Sequence, residues 1–336
     1  MMYKMFLRVL NLFRAIAAVL LLLACGAPHT GFAEFAFLGL AVPLLVILNI
    51  LSVVYWLFVE RKLAWLNMIA LVLGYWSLGT FVKFGREVNT VPSEGLSVMS
   101  FNVQAFGMFE RKESLNLPDD IAAFVKEEDP DIIGLQEFSR VYHTKFSHYP
   151  FKSLTAYSEG RNTQAIFSKY PIVGEGSLRL PDTSNNAIYA DVLYQGDTLR
   201  IYNIHLQSLA IRPGSIKREQ STKLFGRLRY SFTQQQEQAQ IIRDHANASP
   251  YPVVFCADMN NNQFSRAYHL LKGNKNDSFM EKGRGYGRTL SFSILPFRID
   301  FILADPKFEV LSHKNYAIGL SDHEPVMALL RLGGNK

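Results

Sequence analysis

Two long uncharged runs stand almost back to back near the start of the chain. Phe35 to Val59 is twenty-five residues without a charge, and Leu63 to Val82 is twenty more, separated only by Glu60-Arg61-Lys62. A helix of about 20 apolar residues crosses a hydrocarbon layer of roughly 30 Å, so each run is long enough to span. A core helix of a soluble domain rarely needs such length twice in succession. Val9 to Gly26 is a third apolar run, with Arg14 near its start. All three tryptophans, Trp56, Trp65 and Trp76, fall in this region, and the first two lie near the expected membrane interfaces, where aromatic belts sit. Residues 1–88 therefore read as a membrane anchor with helices at about 9–26, 35–59 and 63–82.

Charge separates this portion from the rest. Residues 1–88 hold seven Lys/Arg against three Asp/Glu, which is +4 of the chain's +6. The remainder carries only +2, a balance that gives nucleic-acid binding little support by itself. Lys4, Arg8 and Arg14 put the N-terminus in the cytoplasm, the loop from Ala27 to Glu34 has no Lys or Arg, and Arg61 and Lys62 return inside. The third helix then delivers the rest of the chain to the outer face, with Lys83 and Arg86 as a mild counter-argument. A second reading of the first segment is a signal peptide. Leu22-Leu23-Ala24-Cys25-Gly26 resembles a bacterial lipoprotein cleavage site, and this reading leaves the C-terminal part on the same side. Cys25 and Cys256, the two cysteines, lie in unlike regions, so no disulfide is expected between them.

Residues 89–95 read as a polar linker with Pro92, and a domain runs from Leu96 to 336. Strands are expected at Leu96–Asn102, Asp131–Gln136, Gln164–Ser168, Ile188–Tyr194, Leu199–His205, Val253–Ala257, Ile299–Leu303 and Val326–Leu330. Helices are expected at Pro118–Glu128, Gln234–Ala246 and Ser265–Leu271. Such a mixture suggests two sheets packed face to face with helices outside. Residues 207–235 read as a long basic connection with Arg212, Lys217, Arg218, Lys223, Arg227 and Arg229 against Glu219. It is either a solvated loop or a flap that attracts phosphates.

The strands share a design: an apolar run with a polar tip. Asp131–Gln136 leads to Glu137, a carboxylate that a hard cation would accept as an oxygen ligand. Val253–Ala257 leads to Asp258-Met259-Asn260, although Asn261 and Asn262 also allow a plain Asx-rich turn. His205 ends Leu199–His205. Asp300 lies in an apolar strand, where its charge is costly unless it has a partner such as a histidine. Ser321-Asp322-His323 sets a carboxylate beside an imidazole, facing opposite ways on an extended chain.

In this order, Leu96-Ser-Val-Met-Ser-Phe-Asn102, Asp131-Ile-Ile-Gly-Leu-Gln-Glu137, Ile201-Tyr-Asn-Ile-His205, Val254-Phe-Cys-Ala-Asp258-Met-Asn260, Arg298-Ile-Asp300-Phe-Ile-Leu and Leu320-Ser-Asp322-His323-Glu-Pro-Val resemble the endonuclease/exonuclease/phosphatase superfamily. That superfamily includes pancreatic deoxyribonuclease, abasic-site endonucleases, neutral sphingomyelinases and inositol polyphosphate 5-phosphatases. Ala165-Ile-Phe-Ser-Lys-Tyr-Pro-Ile172 resembles a further strand of it. Ala257 departs from the pattern, since relatives carry Gly before the Asp. The resemblance implies a four-layer α/β sandwich and a divalent metal, Mg2+ with Mn2+ as a substitute. It implies Glu137 as chief metal ligand, assisted by Asn102 and Asp322. Asp258 would orient or deprotonate water, and Asn260 would contact the phosphate. His205 and His323 would bind phosphoryl oxygens or move protons, and Asp300 would orient a histidine. The general base is left open between Asp258 and His323.

The expected protein is thus a phosphoesterase anchored in a bacterial inner membrane, its domain on the periplasmic side. Its substrate is a phosphate ester, with nucleic acid ahead of a phospholipid headgroup. An inactive, membrane-tethered binding module is the alternative from another class.

Overall fold

The computed structural model describes residues 2–80, 82–84, 94–108, 116–156, 163–210, 220–290 and 297–333. Three helices come first: α1 (Met2–Ala24), α2 (Ala33–Val59) and α3 (Arg61–Leu78). The first two are long and apolar enough to cross a membrane. The third is shorter than the run 63–82 suggests, because Gly79 at φ 76° ends it, with its N–H bonded to Tyr75 O. The bundle buries three polar residues, Arg14, Asn49 and Asn67, within a mostly apolar interior, and its outer face is apolar. Asn67 Nδ2 donates to Asn49 Oδ1 (2.7 Å), Asn49 Nδ2 to Ala17 O (3.0 Å) and Arg14 Nη1 to Leu63 O (2.6 Å). Leu51, Val54, Ile69 and Val72 point outward. Most of the expected linker lies outside the described residues.

Twelve strands follow among the described residues. In chain order they are β1 (Leu96–Asn102), β2 (Ile132–Gln136), β3 (Phe151–Leu154), β4 (Ala165–Ser168), β5 (Ile172–Leu178), β6 (Ala187–Tyr194), β7 (Asp197–His205), β8 (Val253–Asp258), β9 (Asn276–Asp277), β10 (Asp300–Ala304), β11 (Phe308–Asn315) and β12 (Val326–Leu332). One sheet has the order β11-β12-β1-β2-β4-β3, the other β5-β6-β7-β8-β10-β9. Helices α4 (Leu117–Glu128), α5 (Ser221–Asn247), α6 (Arg266–Lys272) and the short α7 (Ser278–Lys282) complete the chain.

Period-two alternation builds the layers. Val98, Ile132, Ile201 and Val254 point between the sheets into a shared core. Their neighbours Met99 and Ile133 face outward onto Ile121 and Val125 of α4. Tyr202, Phe255 and Ala257 face outward onto Ala239 and Ile242 of α5 and Leu271 of α6. Helix, sheet, sheet and helix make the four-layer α/β sandwich the sequence suggested.

One expectation is corrected. Residues 221–235 are the first half of α5, not part of a connection. Leu224, Leu228 and Phe232 recur at helical spacing and pack on Ala33, Ala36 and Phe37 of α2, so this helix is stabilised by the bundle and not by the sandwich alone. Arg229 pairs with Glu34 (3.4 Å), and Arg227 Nη1 donates to Leu209 O. Arg229 reaches across to α2 and Arg227 to the loop after β7, so neither belongs to a free flap. Arg212, Lys217 and Arg218 lie outside the described residues.

Candidate active site

The same alternation that fills the core carries polar side chains to one end of it. Above Val98 on β1 come Ser100 and then Asn102. Above Ile132 on β2 come Gly134 and Gln136, with Glu137 next. Above Ile201 on β7 come Asn203 and His205, and above Val254 on β8 come Cys256 and Asp258. The register sets His205 beside Asp258 and Asp258 beside Asp300 on neighbouring strands. Asn102 stands beside Gln136 on the opposing sheet.

A polar layer lies under this tip. Gln136 Nε2 donates to Ser100 Oγ (3.1 Å) and Asn203 Oδ1 (2.6 Å). Asn203 Nδ2 donates across the sandwich to Leu135 O (2.8 Å) and Ala165 O (2.9 Å). The sheets approach so closely here that a Cβ on Gly134 would lie 2.9 Å from Cys256 Cβ. Ser100, Gln136 and Asn203 had no assigned role in the sequence reading. The signal was there: Ser100 and Asn203 stand two residues before their tips, and Gln136 one before Glu137.

The tip residues converge. Asn102 Nδ2 donates to Asp258 Oδ2 (2.8 Å) and lies 3.5 Å from Glu137 Oε1. His205 Nε2 is 3.5 Å from Asp258 Oδ2 and 3.7 Å from Glu137 Oε1. His323 Nδ1 sits 3.0 Å from Asp300 Oδ2, and its Nε2 is 3.8 Å from Asp258 Oδ2. Ser321 Oγ donates to Asn102 O (2.8 Å), which ties the loop holding Asp322 and His323 to the end of β1. Asn260 is adjacent but turned toward the loop after β7: its N–H donates to Asp258 Oδ1 (2.9 Å) and its Nδ2 to Leu206 O (3.0 Å). Glu137 and Asn260 both adopt φ 49°, a left-handed conformation costly for non-glycine residues. Both turn the chain sharply where a strand ends.

The Asn102 amide nitrogen faces Asp258 and Glu137, while its Oδ1 accepts the Gln104 N–H (2.9 Å). Here it orients a carboxylate.

Charge is unbalanced at the tip. Glu137, Asp258, Asp300 and Asp322 gather around two imidazoles, and among the described residues no Lys or Arg pairs with any of them. Burial raises the Asp322 carboxyl; His323 opposes this, and the negative charges of Glu137 and Asp258 add to it. Burial would lower His323, but Asp300 and Asp258 more than offset this and raise it. Burial also raises Asp300, with His323 pulling the other way and Asp258 adding. The state this supports at neutral pH is an imidazolium held by a carboxylate.

The donor set fits a hard divalent cation. Its carboxylates are oxygen donors, and the excess negative charge would be neutralised. Asp258, Asp300 and His323 can bring ligand atoms within 4.8 Å of one another. Asp300, however, is committed to His323 Nδ1. Glu137 is the carboxylate that opens to solvent, its side chain 35% exposed against 0% for Asp258. Buried His205 Nδ1 and Gln136 Oε1 have no hydrogen-bond partner among the described residues.

Residues 99–323, which include every residue of the tip, match the endonuclease/exonuclease/phosphatase family. The chain belongs to that family. Its members are phosphoester hydrolases that typically use a divalent metal. Residues 4–81 match a domain of unknown function. No curated protein matches the chain by sequence. Solved structures with the same fold include an endonuclease/exonuclease/phosphatase from Beutenbergia cavernae, 20% identical, covering 71% of this chain and 72% of that one at TM-score 0.55. A mannosyl-6-phosphatase of Bacteroides thetaiotaomicron is 18% identical, over 70% of this chain and all of that one at TM-score 0.52. TDP2 of D. rerio, complexed with a single-strand DNA product, is 16% identical over 71% and 100% at TM-score 0.52.

Proposed function

We propose that the chain is a membrane-anchored, magnesium-dependent phosphodiesterase acting on the outer face of the membrane. The observation that carries this is the meeting of Glu137, Asp258, His205 and His323 at one end of the sandwich, with carboxylates in excess and Glu137 open to solvent. Glu137 and Asp322 would hold Mg2+, or Mn2+ in its place. The cation supplies Lewis-acid neutralisation of charge on the phosphoryl oxygens.

The chain's own residues do the rest. Asp300 fixes the His323 ring through Nδ1, leaving Nε2 to donate to a phosphoryl oxygen. A raised His323 is a donor at neutral pH, which leaves Asp258 as the group to orient the attacking water and take its proton. Asn102 holds Asp258 in place, and His205 contributes a second imidazole from the neighbouring strand.

The anchor reading rests on a bundle that buries Asn49 and Asn67 and exposes leucine, valine and isoleucine, the pattern suited to lipid. Loop 25–32 and the end of α3 lie on the domain's side of the bundle, as Arg266 Nη1 donating to His29 O (2.8 Å) attests. Arg8, Arg61 and Lys62 belong to the opposite end, consistent with a cytoplasmic N-terminus.

Nucleic acid is the first substrate reading, from the likeness in fold to a protein with bound DNA product. A phospholipid headgroup is the second, favoured by the bundle packing directly beside the 258–265 loop. The test uses the full chain in detergent with bis(p-nitrophenyl) phosphate. Hydrolysis should vanish with chelator and return with Mg2+ or Mn2+. Glu137→Ala should cut the rate by roughly 10²–10³-fold without changing the melting temperature. Chelator-insensitive hydrolysis, or full activity in Glu137→Ala, overturns the reading. Plasmid and phospholipid vesicles as competing substrates then separate the two classes.

A further inference from the structure

The four polar residues after the Asp258 tip, Asn260-Asn261-Asn262-Gln263, have an occupation that the chemistry does not use. Asn261, Asn262 and Gln263 are buried. Asn262 Nδ2 donates to Gly39 O in α2 (3.1 Å), while its Oδ1 accepts the Phe264 N–H (3.1 Å). Phe264, 1% exposed, fills a space among Leu21, Val42, Leu45 and Leu78 of the three-helix bundle. The loop that carries Asp258 and Asn260 is thus plugged into the bundle.

Helix α2 is shaped to receive it. Pro43 lies inside the helix. Proline has no N–H for the carbonyl four residues earlier, and that carbonyl is Gly39's. Asn262 supplies the missing donor. Gly39 also lets the loop come close, since a Cβ there would lie 3.2 Å from Phe264 O. Glycine and proline four apart are thus individually unfavourable in the helix and jointly make a notch with an unpaired acceptor.

The notch connects to the site through few bonds. Asn261 Nδ2 donates to Gln235 Oε1 (2.8 Å), and Gln235 Nε2 donates to Asn260 O (3.3 Å) and Gln207 O (2.7 Å). Asn260 N–H then holds Asp258 Oδ1 (2.9 Å). Gln207 lies two residues beyond His205. Both loops of the second sheet that end in site residues are therefore braced by one assembly of α2 and α5.

We propose that the Gly39–Pro43 notch of helix α2 is a receptor for the active-site loop, so that the membrane bundle is part of the catalytic scaffold. Asn262 and Phe264 are positioning residues, acting through Asp258 and Asn260. This rests on the phosphoesterase reading for its kinetic consequence but not for its structural one.

The experiment uses the full chain in detergent, with bis(p-nitrophenyl) phosphate and Mg2+ for kinetics and hydrogen exchange for the loop. Asn262→Asp is isosteric and keeps the acceptor for Phe264 N–H, but it turns an oxygen toward Gly39 O. It should lower kcat about tenfold, the rate equivalent of one hydrogen bond, with KM unchanged within about twofold. Amides of 259–266 should exchange faster while those of β12 do not. Pro43→Ala should strengthen the helix itself, because proline is the poorest helix former. It gives Gly39 O its own donor, so it should lower kcat without lowering the melting temperature. In the double variant the cost of Asn262→Asp should shrink. Wild-type kcat in both single variants, or exchange that rises equally in β12, overturns the proposal. If the wild type hydrolyses nothing, the phosphoesterase reading fails, and the exchange contrast alone decides whether the notch holds the loop.

Discussion

Replacing Arg298 with Met should destabilise the sandwich more at pH 7.5 than at pH 5. Arg298 and Asp277 are both almost fully buried, and Nη1 lies 2.8 Å from each carboxylate oxygen. Asp277 also accepts from Tyr268 Oη (2.6 Å) and from the N–H groups of Phe279 and Met280 (3.0 and 3.3 Å). The guanidinium lies 4.6 Å from the ring centres of Phe279 and Phe301. Methionine keeps most of the stem's packing and removes the charge, leaving a buried carboxylate unpaired. Breaking one side of such a pair costs about 3–5 kcal/mol. At about 2–4 °C per kcal/mol for a domain of this size, melting should fall by about 6–20 °C. The pH sign follows from Asp277. Burial pushes its carboxyl up, but Arg298 and the hydrogen bonds outweigh this and hold it below its usual value. In the wild type its contribution is present above about pH 4 and lost as pH falls through the lower folded value. Without Arg298, burial dominates and the folded value rises above the unfolded one, so the group's contribution is lost as pH rises. Near-UV circular dichroism of tyrosine is the suitable probe, because all three tryptophans lie in α2 and α3. A loss below about 1 kcal/mol, or one equal at the two pH values, refutes the reasoning.

Two further outcomes concern the tip. Asp300→Asn should lower kcat by roughly 10²–10⁴-fold, as when an imidazole loses the carboxylate that orients it. It should also move the alkaline limb of the pH–rate profile to lower pH, because the Asp300 charge is what chiefly raises His323; an unmoved limb in a residually active variant excludes His323 as the proton donor. Gly134→Ala would place a methyl 2.9 Å from Cys256 Cβ and 3.1 Å from Asn203 Oδ1, forcing the sheets apart. A loss of about 1–3 kcal/mol in thermal unfolding is expected, and a neutral result would mean that the sheets separate freely beneath the site.

The sandwich was legible because its central strands are short, near-continuous apolar runs, buried on both faces, that end in polar residues. The first strand was expected at Leu96–Asn102 and lies there, and β8 extends the expected Val253–Ala257 only by Asp258 itself. Edge strands were not legible. Ile172–Leu178 carries two glycines and exposed Val173 and Glu175, and Phe308–Asn315 has a bulge after Val310 that breaks its period. The first half of α5 was hidden for another reason. Its apolar stripe of Leu224, Leu228 and Phe232 is sparse among lysines and arginines, and it earns burial only from a helix almost two hundred residues earlier in the chain.

The same distinction separates the two halves of the site. The reacting groups announce themselves because each ends a strand whose apolar run points at it. The polar residues on the interior face just below the tips point at the other sheet, and Gln136 and Asn203 bond across to it. That direction follows from the pleat alone. What braces the loops beyond the tips does not. An unfilled carbonyl at Gly39 is visible only when Pro43 is read as a missing donor, and its partner at Asn262 only when the chain has folded back on itself. A polar run after a catalytic tip and a proline within an apolar helix are each ordinary. Their coincidence at 3.1 Å links the anchor to the site, and it predicts that excising residues 1–88 would leave the Asp258 loop without its brace even where the sandwich still folds.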